Sequence, residues 1–208
     1  FCFLDDDDLL LDDSLNIRST ILNENCSIDV VVINGLRDID GIRSKAITHV
    51  ESINDDPMLA LTRGNWLASC GGMFRAKTVP CDFFEGLTKY REWSHLAYRL
   101  TLTKQIYFYD KPGYIIYDTP DSLSKSSSYA MTDGDFIKTI LSLDLKPQVK
   151  KALKHKMIHL YHNLSCYSLK KGNKRDAWKY HLLSLKSFRG WQYLCYTRKI
   201  LLPWYYKI

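Results

Sequence analysis

The spacing of apolar residues changes along this chain, from mixed strand and helix periods in its first part to helical periods in its last. Residues 28–33 form a β-branched, almost wholly apolar run, which predicts a buried strand. Residues 88–103 carry apolar side chains three and four apart, which predicts an amphipathic helix. The other predicted elements are a helix capped by Asp12 or Asp13, a hairpin-like pair of β-prone runs at 105–109 and 113–117, and helices at 133–144, 147–170, 174–188 and 190–202.

A serine-rich stretch between residues 122 and 128 separates these two patterns. We therefore predict a domain boundary near residue 130, with an α/β domain at 1–129 and a C-terminal all-α helical extension at 130–208. Residues 34–64 carry mixed polar signals and are predicted to be a loop-rich insertion. Gly71 and Gly72 predict a tight backbone turn against a pocket wall.

Composition is that of a folded protein whose two ends carry opposite charge. Apolar residues make up 46% and aromatic residues 13% of the chain, which argues against disorder. The six cysteines form no C-x-x-C pair, which favours a reducing compartment over a zinc ribbon or a redox motif. From Lys146 onward, fifteen Lys and Arg residues stand against one acid, Asp176, although the whole chain carries only +6.

The basic end of the chain predicts contact with an anionic surface through residues 146–208. Phospholipid, lipid diphosphate and nucleic acid are all candidates on charge alone, and solvated helix faces are the alternative. The aromatic and basic ending 201–207 is typical of an interfacial anchor, although packing against the predicted α/β domain explains it equally well.

Four consecutive carboxylates, Asp5 to Asp8, follow the short apolar run of residues 1–4. Hard divalent cations prefer oxygen ligands, and a cation relieves the repulsion among clustered carboxylates, so this junction predicts a Mg²⁺-like site beside a diphosphate. A nonspecific Ca²⁺ patch and an acidic helix start are the alternatives. A strand of this kind is expected in the middle of a parallel sheet, so we interpret the sequence as the back part of a larger protein.

Three stretches, in order, resemble glycosyltransferase family 2. The first is Phe3-Leu4-Asp5-Asp6-Asp7-Asp8 followed by Asp13-Ser14-Leu15, which is similar to the family's D-x-D segment. The second runs from Gly71-Gly72-Met73-Phe74-Arg75 through Phe84-Glu85 and Arg91-Glu92-Trp93 to Arg99-Leu100, and the third joins the run 106–112 to the Ser-x-Ser ending at 118–124. Together they cover roughly residues 1–128.

The resemblance implies an incomplete GT-A (Rossmann-like) mixed sheet and an inverting transfer of a sugar to an acceptor hydroxyl. It implies that Asp5, Asp6 and Asp7 bind the donor, with Asp7 and Asp5 holding Mn²⁺ or Mg²⁺. Glu92 takes the place of the family's general base, and Arg91, which replaces an acid, is expected to weaken it. The expected acceptor side is formed by Trp66, Gly71, Gly72 and Trp93.

The partners implied are a nucleotide-sugar donor, foremost a UDP-sugar, and a saccharide or lipid-linked acceptor in the synthesis of cell-surface polysaccharide or glycoconjugate. No nucleic acid is expected. The implied location is cytoplasmic, peripheral on the inner face of the membrane. Because the family's nucleobase-binding front half has no counterpart here, we expect little turnover if residues 1–208 are the whole molecule.

Two other functions stay open on the sequence. The spacing of Asp7, Asp8, Asp12 and Asp13 faintly resembles aspartate-rich prenyl-diphosphate sites, which belong to all-helical folds. A non-catalytic module that binds a membrane or a partner through its basic helices is the other. His155, His159 and His162 share one predicted helix face, for which an interfacial or solvated stripe is favoured over a metal site.

Overall fold

The computed structural model describes residues 1–118 and 132–202, and its contacts divide the chain into two compact units, Phe1–Val149 and Lys150–Ile208. This division falls after the predicted boundary at 129/130. The helix α4 (Asp133–Leu141) belongs to the first unit because Phe136 packs against Tyr98, with ring centroids 6.4 Å apart. The Ser-x-Ser ending and the anchor after residue 202 lie outside the described residues.

The first unit is built on a mixed five-stranded sheet, so the α/β class is confirmed. Its strands run in the order β1-β5-β2-β3, and β4 also pairs with β2. The β2–β5 pair is parallel and the other pairs are antiparallel. The strands are β1 (Asp8–Leu10), β2 (Val30–Ile39), β3 (Ile42–Lys45), β4 (Gly72–Phe74) and β5 (Ile106–Tyr117). The helices are α1 (Ser14–Glu24), α2 (Pro57–Ala60), α3 (Glu92–Thr103) and α4, with a 3₁₀ turn at Cys81–Phe84.

The predicted buried strand and both front helices are confirmed, with two local differences. Val30 to Ile33 are completely buried in β2, as a β-branched run in a covered sheet should be. Asp13 precedes α1 in a left-handed conformation, and its side chain makes no capping hydrogen bond. Within the predicted loop-rich insertion, β2 and β3 instead form a hairpin through Asp40-Gly41, where both residues have positive φ. That pair is a strong hairpin signal which the sequence analysis did not use.

The prediction of a hairpin-like return between residues 109 and 113 is wrong, because β5 continues through as one strand. Its parallel register with β2 shifts on both sides of Asn34, so the strand accommodates an irregularity there. Pro112 lies opposite Asn34, at a position where a residue without an N–H is tolerated. Lys45 donates to Asp110 at 2.7 Å and is the main reason that its pKa lies below the usual value, and Asn34, which donates at 2.6 Å, adds to the shift.

The segment before the carboxylate run does not form a central parallel strand as expected. Cys2 makes one antiparallel bridge to Met73, and β1 itself begins only at Asp8. Asp5, Asp6 and Asp7 therefore lie between that bridge and the antiparallel strand β1, which begins at Asp8. The sheet also excludes the all-helical architecture that the prenyl-diphosphate alternative requires.

The second unit is helical in its described part. It contains most of α5 (Pro147–Lys170), then α6 (Lys174–Leu185), a 3₁₀ helix (Phe188–Tyr196) and α7 (Thr197–Leu201). Its small core joins Leu169, Ala177 and Ile200. The prediction of a single helix at 190–202 is wrong over its first part, because residues up to Tyr196 form a 3₁₀ helix and the α-helix begins only at Thr197. Among the described residues, none of the helices has the length and apolar character needed to cross a bilayer.

Candidate functional site

The carboxylate run folds into a turn that rests on residues 69–71. The backbone N–H of Asp8 donates to the carbonyl of Asp5 at 3.2 Å, which closes the turn. Ser69 donates its hydroxyl to the Asp5 carboxylate at 2.6 Å, and the Cys70 thiol donates to Asp8 at 3.2 Å. Asp5, Asp6 and Asp7 are exposed, so three carboxylates of one turn face solvent.

Asp8 is the member of the run to which the family resemblance assigns no role. Its pKa is raised chiefly by burial, with further repulsion from the charges of Asp5 and Asp7, while the hydrogen bond from Cys70 opposes the shift. The carboxylates are therefore close enough to repel one another. The signal available in the sequence was position, since Asp8 directly precedes the apolar run Leu9-Leu10-Leu11.

Arg18 lies beneath the turn and is completely buried. Its guanidinium donates to the carbonyl and hydroxyl of Ser14 at 3.1 and 3.0 Å, and to the carbonyls of Cys70 and Gly72 at 2.9 and 3.3 Å. Burial lowers the pKa of Arg18 from its usual value. A buried charge is tolerated when it is hydrogen-bonded, so Arg18 fixes the loop that supports Asp5 and Asp8. The sequence signal was its place on the buried face of α1, with Ser14 one turn before it.

Gly71 ends a tight turn that starts at Ala68, whereas Gly72 begins β4, and both residues serve internal packing. A Cβ on Gly71 would lie 3.1 Å from the Tyr114 ring, and one on Gly72 would lie 2.8 Å from the Phe74 ring. Both residues are buried. Their glycine identity is therefore explained by close approach to two aromatic rings, and they do not line an acceptor surface.

The prediction that Trp66 stacks on an acceptor sugar must be corrected. Its side chain is only 1% exposed, and its indole N–H donates to the carbonyl of Pro57 at 2.8 Å. An indole with no open face cannot stack on a ligand in this conformation. Trp66 is a core residue that anchors the short helix α2.

The start of α3 is linked to the segment before the carboxylate run through aromatic packing. The ring centroids of Phe3 and Trp93 lie 5.4 Å apart, and Phe3 also contacts Phe84 at 5.3 Å. Phe3 is two residues before Asp5, and Trp93 directly follows Glu92. The two elements that carry the predicted metal ligands and the predicted base therefore meet in one aromatic cluster.

Glu92 is exposed at the first turn of α3. One of its carboxylate oxygens accepts a hydrogen bond from the backbone N–H of Tyr90 at 2.8 Å. Arg91, expected to act on Glu92, forms an ion pair with Asp133 of α4. The positive φ of Tyr90 and this capping contact together set the direction in which the Glu92 side chain leaves the helix.

The carboxylate turn is compatible with a hard cation, although it does not form a complete protein cage. Asp5 and Asp7 offer oxygen ligands on one exposed turn, and the mutual repulsion expressed at Asp8 is what a cation would relieve. Over residues 1–118 and 132–202, no group of three or more His, Cys, Asp or Glu side chains is arranged to hold a metal ion. Any cation there would take its remaining ligands from a diphosphate and water, as Mg²⁺ commonly does.

The histidine stripe of α5 packs against the 3₁₀ helix. The His162 ring stacks on Tyr193 with centroids 3.7 Å apart, and His159 hydrogen-bonds the Tyr193 hydroxyl. Arg189 contacts His155 at 3.2 Å. The stripe therefore forms an interface within the second unit, which agrees with the interpretation favoured over a metal site.

No protein-family model and no curated protein matches this chain.

Proposed function

We propose that this chain carries the metal-binding and acceptor-activating part of an inverting, GT-A type glycosyltransferase that uses a nucleotide-sugar donor. The observation that carries the proposal is the contact between Phe3 and Trp93, which joins the carboxylate segment to the start of α3. This contact supports the proposal because it brings the segment that precedes Asp5 next to the first turn of α3, which carries Glu92.

Asp5 and Asp7 would hold Mn²⁺ or Mg²⁺ against the donor diphosphate. When bound, such an ion neutralises the negative charge that builds on the departing nucleoside diphosphate. Ser69 keeps the Asp5 carboxylate in place by donating to one of its oxygens. Arg18 acts as a positioning residue, because it holds the backbone of Cys70 and Gly72 on which that turn rests.

Glu92 would accept the proton of the acceptor hydroxyl. As the acceptor oxygen bonds to the anomeric carbon, the bond from that carbon to the donor diphosphate breaks, and the proton passes to the carboxylate. The hydrogen bond from Tyr90 orients one Glu92 oxygen, which favours a defined approach of the other. Trp93, which the resemblance assigns to the acceptor side, packs edge to face on Phe3 and thereby supports the first turn of α3, which carries the base.

Metal binding provides the first test, because it requires no knowledge of the sugar. Manganese binding to the chain, followed by the electron paramagnetic resonance signal of free Mn²⁺ with and without UDP, should be weakened about tenfold or more in Asp7→Asn and Asp5→Asn. Asp12→Asn is the matched control, because Asp12 is an exposed aspartate just outside the turn. Equal Mn²⁺ binding by all three variants would contradict the assignment of Asp5 and Asp7 as metal ligands.

Transfer provides the second test. In an enzyme that also supplies the nucleobase-binding front half, assayed with a panel of UDP-sugars and saccharide acceptors, Glu92→Gln should abolish transfer while leaving UDP and Mn²⁺ binding unchanged. Glu85→Gln is the control, since Glu85 is an exposed glutamate that precedes α3. Full transfer by Glu92→Gln would assign the base elsewhere.

A further inference from the structure

The 3₁₀ helix Phe188–Tyr196 has two distinct faces that follow its three-residue period. On the inner face Gly190 is buried, and Tyr193 stacks on His162. Tyr196 contacts the same imidazole, with centroids 4.9 Å apart. The face that carries residues 190, 193 and 196 therefore packs against the rest of the second unit.

The outer face carries three large apolar side chains that are exposed. Phe188 is 79% exposed, Trp191 56% and Leu194 51%, and they are spaced three apart on one edge of the helix. The rings of Phe188 and Trp191 lie 5.2 Å apart, so the two form a continuous surface. We refer to Phe188, Trp191 and Leu194 as the apolar ridge. Exposed large apolar residues arranged in a contiguous row, unlike isolated ones, mark an interaction surface.

The sequence around the apolar ridge is strongly basic. Four exposed cations lie within or close to this segment in sequence, and they are Lys186, Arg189, Arg198 and Lys199. From residue 150 to the end there are fourteen Lys and Arg residues and one acid, Asp176. Beside the ridge, Arg189 and His155 help to line a surface depression of about 550 Å³ that Phe188 and Trp191 also border.

We propose that the apolar ridge inserts into the headgroup region of an anionic phospholipid bilayer, while the surrounding Lys and Arg side chains contact lipid phosphates. Aromatic rings favour the bilayer interface, and each basic side chain near an anionic leaflet adds attraction of about 1 kcal/mol. Arg189 is the permanently charged residue among those that line the depression, and it would contact a lipid phosphate there. This inference goes beyond the proposed function and does not depend on it.

The positive charge around the apolar ridge favours an anionic bilayer over a second copy of the chain as the binding partner. Two such surfaces brought face to face would oppose like charges, with only Asp176 in the second unit to offset them. An anionic bilayer offers the opposite charge together with an apolar layer at the depth that Phe188 and Trp191 can reach. The two parts of the surface, apolar and basic, match the two parts of the bilayer interface.

Vesicle flotation of the full chain tests the proposal. We expect binding to vesicles of phosphatidylcholine and phosphatidylglycerol, little binding to phosphatidylcholine alone, and a loss of several-fold or more between about 0.05 and about 0.5 M salt. The double substitution Phe188→Ala with Trp191→Ala should weaken binding to the anionic vesicles at least about tenfold.

Two substitutions serve as matched controls, because they remove equally exposed apolar side chains elsewhere in the second unit. Tyr167 is 60% exposed on α5 and Leu182 is 56% exposed on α6. Tyr167→Ala and Leu182→Ala should leave vesicle binding within about twofold of the original chain. Circular dichroism of every variant establishes that loss of binding is not loss of folding.

Three outcomes would overturn the proposal. The first is unchanged binding in the double variant, and the second is equal binding to neutral and anionic vesicles. The third is a concentration-dependent dimer, measured by sedimentation without lipid, that the double variant abolishes while vesicle binding is absent. That last result would assign the apolar ridge to an interface between copies of the chain.

Discussion

The two units of this protein bury basic side chains in different ways. In the first unit, Arg18 is completely buried and donates to four acceptors, so a permanent charge is kept inside the fold. In the second unit, His181 is completely buried and its Nδ1 has no hydrogen-bond partner among the described residues, as is also true of half-buried His162. A guanidinium cannot discharge, so it must be satisfied, whereas an imidazole can be buried neutral.

The buried cation of the first unit acts as a support whose charge does not change near neutral pH, whereas the packing of the second unit depends on histidines that can be protonated. Arg18 ties α1 to the loop that carries the carboxylate turn, and no pH near neutrality changes its charge. The histidines fill the space between helices and the 3₁₀ segment through ring contacts, and their pKa values are lowered mainly by burial. The buried cation of the first unit is therefore permanent, whereas the buried histidines of the second unit are held in their neutral form by burial.

Replacing Arg18 should produce the largest effect. Arg18→Met keeps the length of the side chain but leaves the carbonyls of Cys70 and Gly72 without their donors, so we expect a loss of about 2–4 kcal/mol of stability in the first unit. Hydrogen exchange resolved by mass spectrometry should show the loss around β4 and the start of α1.

The control for this change is Arg63→Met, which removes a guanidinium from an exposed position of the same unit. It should alter stability by no more than about 0.5 kcal/mol. The same two variants also test the proposed function. Arg18→Met should weaken Mn²⁺ binding, because Arg18 supports the turn that contains Asp5, although Arg18 itself is not a ligand of the ion. Equal protection of β4 in both variants would show that Arg18 is not a support.

Lowering the pH should have the next largest effect, and mainly on the second unit. The pKa values of His162 and His181 lie below the ordinary 6.5, so in mild acid the unfolded chain binds more protons than the folded one. Their contribution to stability is fully present above about pH 6.5 and is lost as the pH falls through the folded-state values. Hydrogen exchange of α5 and α6 at pH 7.5 and pH 5, corrected for intrinsic rates, measures this loss.

His181→Gln should reduce this pH response, and the exposed His49→Gln should leave it unchanged. The first unit contains one comparable group, His95, whose pKa is also lowered chiefly by burial, so its response should be smaller but present. A larger loss of protection in β2 and β5 than in α5 and α6 would reverse the comparison.

Replacing Asp8 should give the smallest effect, with the opposite sign. The folded-state pKa of Asp8 lies above its ordinary value, so its ionised carboxylate costs stability at neutral pH. Asp8→Asn should raise stability by about 0.5 kcal/mol in metal-free buffer, because it removes a partly buried charge and, with it, the repulsion from Asp5 and Asp7. Thermal melting with Asp12→Asn as the control measures the gain, and a lower melting temperature in Asp8→Asn alone would contradict the interpretation.

Local pattern was sufficient for much of the backbone. The β-branched run in β2 and the apolar spacing of α3 each encode an element through side-chain shape and period, which act over a few residues. Asp40-Gly41 encodes its hairpin in the same way. The carboxylate run was recognisable as candidate chemistry because four consecutive acids favour a cation, whereas Glu92 was selected only through the resemblance to glycosyltransferase family 2.

What the tertiary structure decided depends on contacts between residues far apart in sequence. Pro112 does not end β5, because β2 supplies a register shift opposite it, and Trp66 is removed from the candidate site by packing on α2. Arg18 becomes a buried support only because Cys70 and Gly72 present carbonyls more than fifty residues away. A residue's own type states which interactions it can make, but burial and partners are set by the whole fold, and these determine which of them it does make.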